Sequence, residues 1–247
     1  MAGRTSGVAR RTLLRDGAPG GHDAAVPTLD ETAAFIRERT APAPVPLAPE
    51  LALYQATALT PLWRATASEL HAWDDSPYWA FPWAGGQALA RHVLDRPGLV
   101  RGRRVLDFAT GSGLVAIAAA RAGAARVVAV DVDPFCRAAV ALNAALNGVA
   151  VAFHAGDPID GPLGAFPLAG TDVVLAGDVF YERALAGRAA AWFRALAAAG
   201  VRVLAGDAGR AYAPAGGFVE RAVHDVPTTV EIEDAPRRSA RVLEFVP

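Results

Sequence analysis

Val105-Leu-Asp-Phe-Ala-Thr-Gly-Ser-Gly113 reads as a short apolar strand running into a glycine turn. Arg104 to Leu106 is expected to be a buried strand, with Asp107 standing at its carboxyl end. Gly111 and Gly113 let the backbone turn sharply with no Cβ in the way of a ligand. Leu114 to Arg121 is an alanine-rich helix, so its first amide N–H groups point back at whatever sits on the loop. Strand, glycine loop and helix in this order make a nucleotide-type site at the carboxyl edge of a parallel sheet.

Toward the C-terminus, strands and helices alternate, the mark of a doubly wound sheet. Arg126 to Val130, Val149 to His154, Asp172 to Ala176 and Val201 to Ala205 are the further strands. Pro134 opens one helix, which Gly148 closes, and Ala184 to Ala199 forms another. Phe218 to Val226 and Thr229 to Val246 look like two antiparallel strands joined by a broad loop. The expected fold is α/β: a mostly parallel, Rossmann-like sheet of about seven strands, five parallel and two added at an edge.

Toward the N-terminus the chain reads as an extension of this domain. Residues 1–27 are rich in Gly, Ala, Arg and Pro without periodicity and are expected to be a disordered leader. Thr28-Leu-Asp-Glu31 is a capping box opening a helix to about Arg39. Ala41 to Pro49 carries four prolines and reads as an extended connector, Leu51 to Gln55 as a short strand, and Pro61 to about Leu70 as a helix. Pro77-Tyr-Trp-Ala-Phe-Pro-Trp-Ala-Gly-Gly86 is dense in aromatics, fitting either a plug over the sheet end or an aromatic wall for a ligand. Gln87 to Asp95 then reads as a helix. The expected division is a leader (1–27), a helical and aromatic extension forming part of the site (28–98) and a cofactor-binding domain (99–247).

Composition narrows the function. The net charge of −1 offers no bulk attraction for nucleic acid. No apolar run approaches a membrane span. All 24 basic residues are Arg, which with the abundant Ala fits a GC-rich coding sequence. Cys136 is the only cysteine, and the five histidines are scattered without ligand spacing, so no metal is expected. Arg10-Arg11 is followed by no apolar stretch, and the expected location is cytoplasmic.

Five aspartates fall at successive strand ends: Asp107, Asp131, Asp157, Asp178 and Asp207. Such ends form the ligand rim of an open α/β sheet. Gly111-x-Gly113-x-x-Ala116 with Asp131 downstream also satisfies a dinucleotide fingerprint. However, Asp107 intrudes before the glycines, where a carboxylate would repel a pyrophosphate and welcome an ammonium group. A ligand with ribose, adenine and an amino-acid tail fits better, which means S-adenosylmethionine. Asp107 would serve the ammonium end, Asp131 the ribose hydroxyls and Asp157 the adenine amino group. Phe108, Thr110, Gly111, Gly113 and Val132 are expected to complete the cofactor site. A nicotinamide-dependent dehydrogenase is the competing reading.

Residues 78–212 resemble the class I, seven-strand methyltransferases, specifically the electron transfer flavoprotein β-subunit lysine methyltransferase family and its bacterial relatives. The resemblance is carried by Tyr78-Trp79-Ala80, Trp83 to Arg91, Val105 to Gly113, Asp131-Val-Asp-Pro134, Leu142-Asn143, Gly177-Asp-Val-Phe-Tyr181 and Gly206-Asp-Ala-Gly-Arg210. It implies a protein-lysine N-methyltransferase that uses S-adenosylmethionine, releases S-adenosylhomocysteine and acts on the flavoprotein β-subunit. It also implies a catalytic, substrate-lysine site at Asp178 and Tyr181 and a tryptophan, Trp83, against the cofactor. Trp79 and Arg210 are expected on the substrate side. Asp178 is expected to capture and aim the lysine rather than act as a strong base, while the aromatics lower the amine pKa by desolvation. Two positions depart from the family pattern: Ala109 stands where the first loop glycine is usual, and Ala208 where a proline is usual. Methylation of another protein, such as a ribosomal one, or of a small molecule remains an alternative, as does a non-enzymatic cofactor-binding role.

Overall fold

The computed structural model describes residues 28–56, 77–162 and 165–247. The expected leader and the expected helix from Pro61 to Leu70 lie outside the described residues. Helix α1 (Leu29–Arg39) opens on the anticipated capping box. Glu31 Oε2 accepts the Thr28 amide at 2.8 Å, and the Thr28 hydroxyl accepts the Glu31 amide at 3.3 Å.

The proline-rich stretch is not an unpaired connector. It forms β1 (Ala41–Val45), paired antiparallel with β2 (Ala48–Gln55). Pro42 and Pro44 lie opposite Tyr54 and Ala52. The Tyr54 and Ala52 amides donate to Asn143 Oδ1 and Asn147 Oδ1, at 2.7 and 3.0 Å, so they face away from β1. The prolines therefore occupy the ladder positions at which no N–H toward the partner strand is needed.

Helix α2 (Ala84–Asp95) begins three residues before the expected Gln87. Its first turn packs directly on the strand ends of β6 (Val173–Gly177) and β7 (Arg202–Asp207). A Cβ on Gly206 would lie 1.9 Å from the Gly85 carbonyl oxygen, and one on Gly177 would lie 2.9 Å from the Gly86 Cα. Glycine here permits close approach of helix and sheet, which outweighs its poor helix propensity.

The remaining elements are β3 (Arg104–Phe108), α3 (Leu114–Arg121), β4 (Arg126–Asp131), α4 (Pro134–Leu146), β5 (Ala152–Ala155), α5 (Arg183–Ala198), β8 (Phe218–Pro227), α6 (Val230–Glu233) and β9 (Arg237–Phe245). Strand β5 starts later than expected because the Val149 amide is still bonded to the Ala144 carbonyl in the turn after α4. Part of the expected last strand is α6, a four-residue helix between β8 and β9. The seven-stranded sheet has the order β5-β4-β3-β6-β7-β9-β8, with β3 to β7 parallel and β8 and β9 antiparallel at one edge.

The period-two alternation of the strands divides the core. Val105, Val127, Val173, Leu175 and Leu204 face α2 and α3. Leu106, Phe108, Val128, Val130, Val174 and Val203 face Trp192, Phe193 and Leu196 of α5. Chain order reverses on either side of β3, opening a crevice at the carboxyl ends of β3, β4 and β6. Among the described residues, no helix is long and apolar enough to cross a membrane.

Candidate active site

That crevice is a cavity of about 410 Å³. On its β3–β4 side, Asp107 points from the end of β3 onto the glycine loop and is almost fully buried. Its Oδ2 accepts the Thr110 hydroxyl at 2.5 Å and the Ala116 amide of α3 at 3.0 Å. Its Oδ1 is buried and accepts no hydrogen bond from the described residues. Burial pushes the Asp107 carboxyl up to about 7, against the pull of Thr110 and Ala116, and the neighbouring Asp131 charge adds to the rise. An ammonium group placed at Oδ1 would satisfy that oxygen and restore the carboxylate.

Asp131 ends β4. Its Oδ2 accepts the Gly111 amide at 2.9 Å and its Oδ1 the Asp133 amide at 3.0 Å, so both oxygens hold the loop in place. Burial raises its pKa as well, opposed by those amides. The Val132 amide and the Cys136 thiol also donate to this carboxylate. Ala109 takes φ +52°, a left-handed conformation that explains why glycine is usual at this position. Asn143, fully buried on α4, holds the loop from behind: its Nδ2 donates to the Ser112 carbonyl at 2.8 Å while its Oδ1 takes β2.

On the β6–β7 side, Asp178 follows β6 with φ +64° and is buried. Its Oδ1 accepts Arg210 Nε at 2.5 Å, and its Oδ2 accepts Arg210 Nη2 at 2.9 Å and the Gly85 amide at 2.8 Å. Glu233 completes the group, accepting Arg210 Nη1 at 2.9 Å and Nη2 at 2.8 Å. Burial pushes the Asp178 carboxyl up while the bonded guanidinium pulls it down. Burial likewise works against the Arg210 charge, yet its two carboxylate partners raise its pKa above the ordinary value. Next to this group stands an aromatic cluster. The Tyr78 ring lies 5.5 Å from that of Trp83 and 5.3 Å from that of Tyr181, and Trp83 Nε1 donates to the Tyr78 carbonyl. The Arg210 guanidinium lies 5.7 Å from the Trp83 ring.

The chain is 41% identical to the electron transfer flavoprotein β-subunit lysine methyltransferase of Xenopus laevis over 179 residues, 72% of this chain and 70% of that protein. The chain belongs to this family. The rat and human proteins of the same description are 40% and 37% identical, over 66% and 73% of this chain and 62% and 67% of their own lengths. Residues 89–177 also match the model of the ribosomal protein L11 methyltransferase (PrmA) family. The sheet and the membership together make the chain a class I S-adenosylmethionine-dependent methyltransferase.

Within this methyltransferase the structure brings Trp83, Asp107, Phe108, Thr110, Gly111, Asp131, Val132, Asp157, Asp178, Tyr181 and Arg210 onto one cavity. Three residues expected at the rim stand elsewhere. Trp79 is 2% exposed and stacks on Phe135 at 5.7 Å, turned into the core beneath α1 and α4 while its neighbour Tyr78 takes the cavity. Gly113 sits behind the loop at φ +82°, where a Cβ would lie 3.1 Å from Val140, so it serves the turn into α3. Asp207 closes the turn after β7, accepting the Arg210 amide at 3.0 Å and Arg241 Nη2 at 2.6 Å. Asp157 lines the cavity with its carboxylate shared between the Ile159 amide and Arg188, both at 3.0 Å. Tyr78, Phe81, Cys136 and Leu185 also line it and were not among the site residues expected from sequence. For Tyr78 and Phe81 the signal was present, in the aromatic density of residues 77–86. Cys136 lies one turn into α4, which only the helix's entry beside Asp131 reveals.

Proposed function

We propose that the chain transfers the methyl group of S-adenosylmethionine to the side-chain amine of a protein lysine, and that its substrate is the electron transfer flavoprotein β-subunit. The observation that carries this reading is a single cavity with two differently equipped sides. One holds a buried carboxylate oxygen awaiting a cation, the other a carboxylate group beside aromatic rings, in a chain 41% identical to a lysine methyltransferase.

S-adenosylmethionine supplies an electrophilic methyl group on a sulfonium. Asp107 holds its ammonium, Asp131 its ribose hydroxyls, and the amides around Gly111 shape the loop beneath it. Asp157 and Val132, which line the same cavity, would take the adenine. On the other side, the Asp178 carboxylate attracts the ammonium form of lysine. A lysine with the ordinary pKa near 10.4 loses about 4 to 5 kcal/mol in giving up its proton at neutral pH. Tyr78, Trp83 and Tyr181 reduce that cost by shielding the amine from water. Asp178 already accepts three hydrogen bonds and is a poor base, so the lysine gives its proton to solvent as it enters and the remaining lone pair of Asp178 Oδ1 aims the amine.

Incubation with labelled S-adenosylmethionine and purified flavoprotein should place label on a lysine of the β-subunit. Absence of label there, with label on another protein of the host lysate, would overturn the substrate. The match of residues 89–177 to the L11 methyltransferase model favours a ribosomal protein as the second reading.

A further inference from the structure

Glu233 lies outside every motif read from the sequence and is not among the residues that line the cavity. It sits on α6, between the two antiparallel edge strands, and is 3% exposed. A buried carboxylate is costly unless paired, and this one is fully paired. Its Oε1 accepts the Ala84 amide at 3.1 Å and Arg210 Nη2 at 2.8 Å, and its Oε2 accepts Arg210 Nη1 at 2.9 Å.

These partners belong to the site. Trp83, the N-cap of α2, makes no side-chain cap bond, and the first amides of the helix are taken in trans. Glu233 accepts Ala84 and Asp178 accepts Gly85, so the two carboxylates together set where α2 begins and where Trp83 stands. The same two carboxylates grip opposite edges of the Arg210 guanidinium. Arg238 adds a second cation: its Nε lies 3.7 Å from Glu233 Oε2, and its Nε and Nη2 donate to the Glu233 carbonyl at 2.9 and 2.5 Å.

We infer that Glu233 is a positioning residue for the methyl acceptor: it holds Arg210 and the first turn of α2 so that Asp178 and Trp83 keep their places. This rests on the reading that a lysine amine is the acceptor.

Steady-state kinetics with the purified β-subunit, paired with calorimetric titration of S-adenosylmethionine, test it on Glu233→Gln. That variant keeps the side-chain shape and an oxygen for the Ala84 amide but removes the charge and the acceptor for Arg210 Nη1. Its acceptor KM should rise about tenfold, with kcat changed less than about threefold and cofactor Kd less than about twofold. Glu233→Ala should move KM further in the same direction, and if it does not fold, Glu233→Gln decides alone. An unchanged KM in Glu233→Gln would overturn the inference and leave only a structural tie. So would a cofactor Kd rising in step with KM. If the wild-type chain transfers no methyl group to any protein lysine, the proposed function falls first and this inference with it.

Discussion

On the β3–β4 side of the cavity, Asp107 and Asp131 are held by partners 3, 9, 20 and 2 positions away in sequence. On the β6–β7 side, Asp178 is held by Arg210 and Gly85, 32 and 93 positions away, and Glu233 reaches Ala84 across 149. The first side is a local device, made by one loop and the strand beside it. The second is an assembly of four chain segments that exists only once the edge strands and α2 have docked. Their bonding differs too: one side leaves a carboxylate oxygen bare for a cation, while the other binds its carboxylates to the Arg210 guanidinium.

The largest effect should come from breaking the assembled side. Arg210→Ala leaves two buried carboxylates without their cation, and such a loss typically costs about 3 to 5 kcal/mol. Urea denaturation should show it as a lowered midpoint, and a cost under about 1 kcal/mol would mean that the cluster is solvated rather than buried. Next, Asp107→Asn should weaken S-adenosylmethionine about a hundredfold by calorimetry, or roughly 2.7 kcal/mol. The same variant should be no less stable than wild type at pH 8. Asp107 has a folded pKa raised to about 7, so the folded state favours its protonated form. Its contribution to stability is therefore greatest in the acid range and declines as pH rises toward about 7. A lower urea midpoint for Asp107→Asn at pH 8 would show that its bonds to Thr110 and Ala116 outweigh the burial of its charge.

The same titration sets the pH dependence of binding. Cofactor affinity should increase up to about tenfold per pH unit between pH 5 and 7 and then level off, with proton release on binding below 7. Calorimetry in buffers of different ionisation enthalpy measures that release, and a flat profile would separate Asp107 from the ammonium. The smallest effect is expected at Ala109. Ala109→Gly relieves a left-handed alanine but gives the unfolded chain more freedom, so the two terms nearly cancel and stability should change by less than about 1 kcal/mol. A larger change would show that the loop is more strained than its φ angle indicates.

The contrast also explains what the sequence could reveal. Apart from the start of β5, the parallel strands and the glycine loop with Asp107 and Asp131 at its flanks follow from contiguous patterns of period, turn residue and cap, so their places in the chain were legible. The early start of α2 was not, because Gly85 and Gly86 read as helix breakers until Gly177 and Gly206 are seen against them. The β1–β2 hairpin was hidden because its prolines hide a ladder whose outer amides are satisfied by Asn143 and Asn147, far along the chain. Trp79 and Trp83 lie in one aromatic turn, and nothing in their spacing says which faces inward. Asp178 was legible through its spacing to Tyr181, but its pairing with Arg210 and Glu233 was not, since α6 was expected to be strand.

The central claim is that the two sides of the cavity are separable, cofactor on one and acceptor on the other. Asp178→Asn tests this most directly, because asparagine tolerates the same positive φ and leaves the backbone undisturbed. Calorimetric Kd for S-adenosylmethionine should stay within about twofold while kcat/KM for β-subunit methylation falls at least about a hundredfold. Loss of cofactor binding in parallel with activity, or full activity in the variant, would contradict the account.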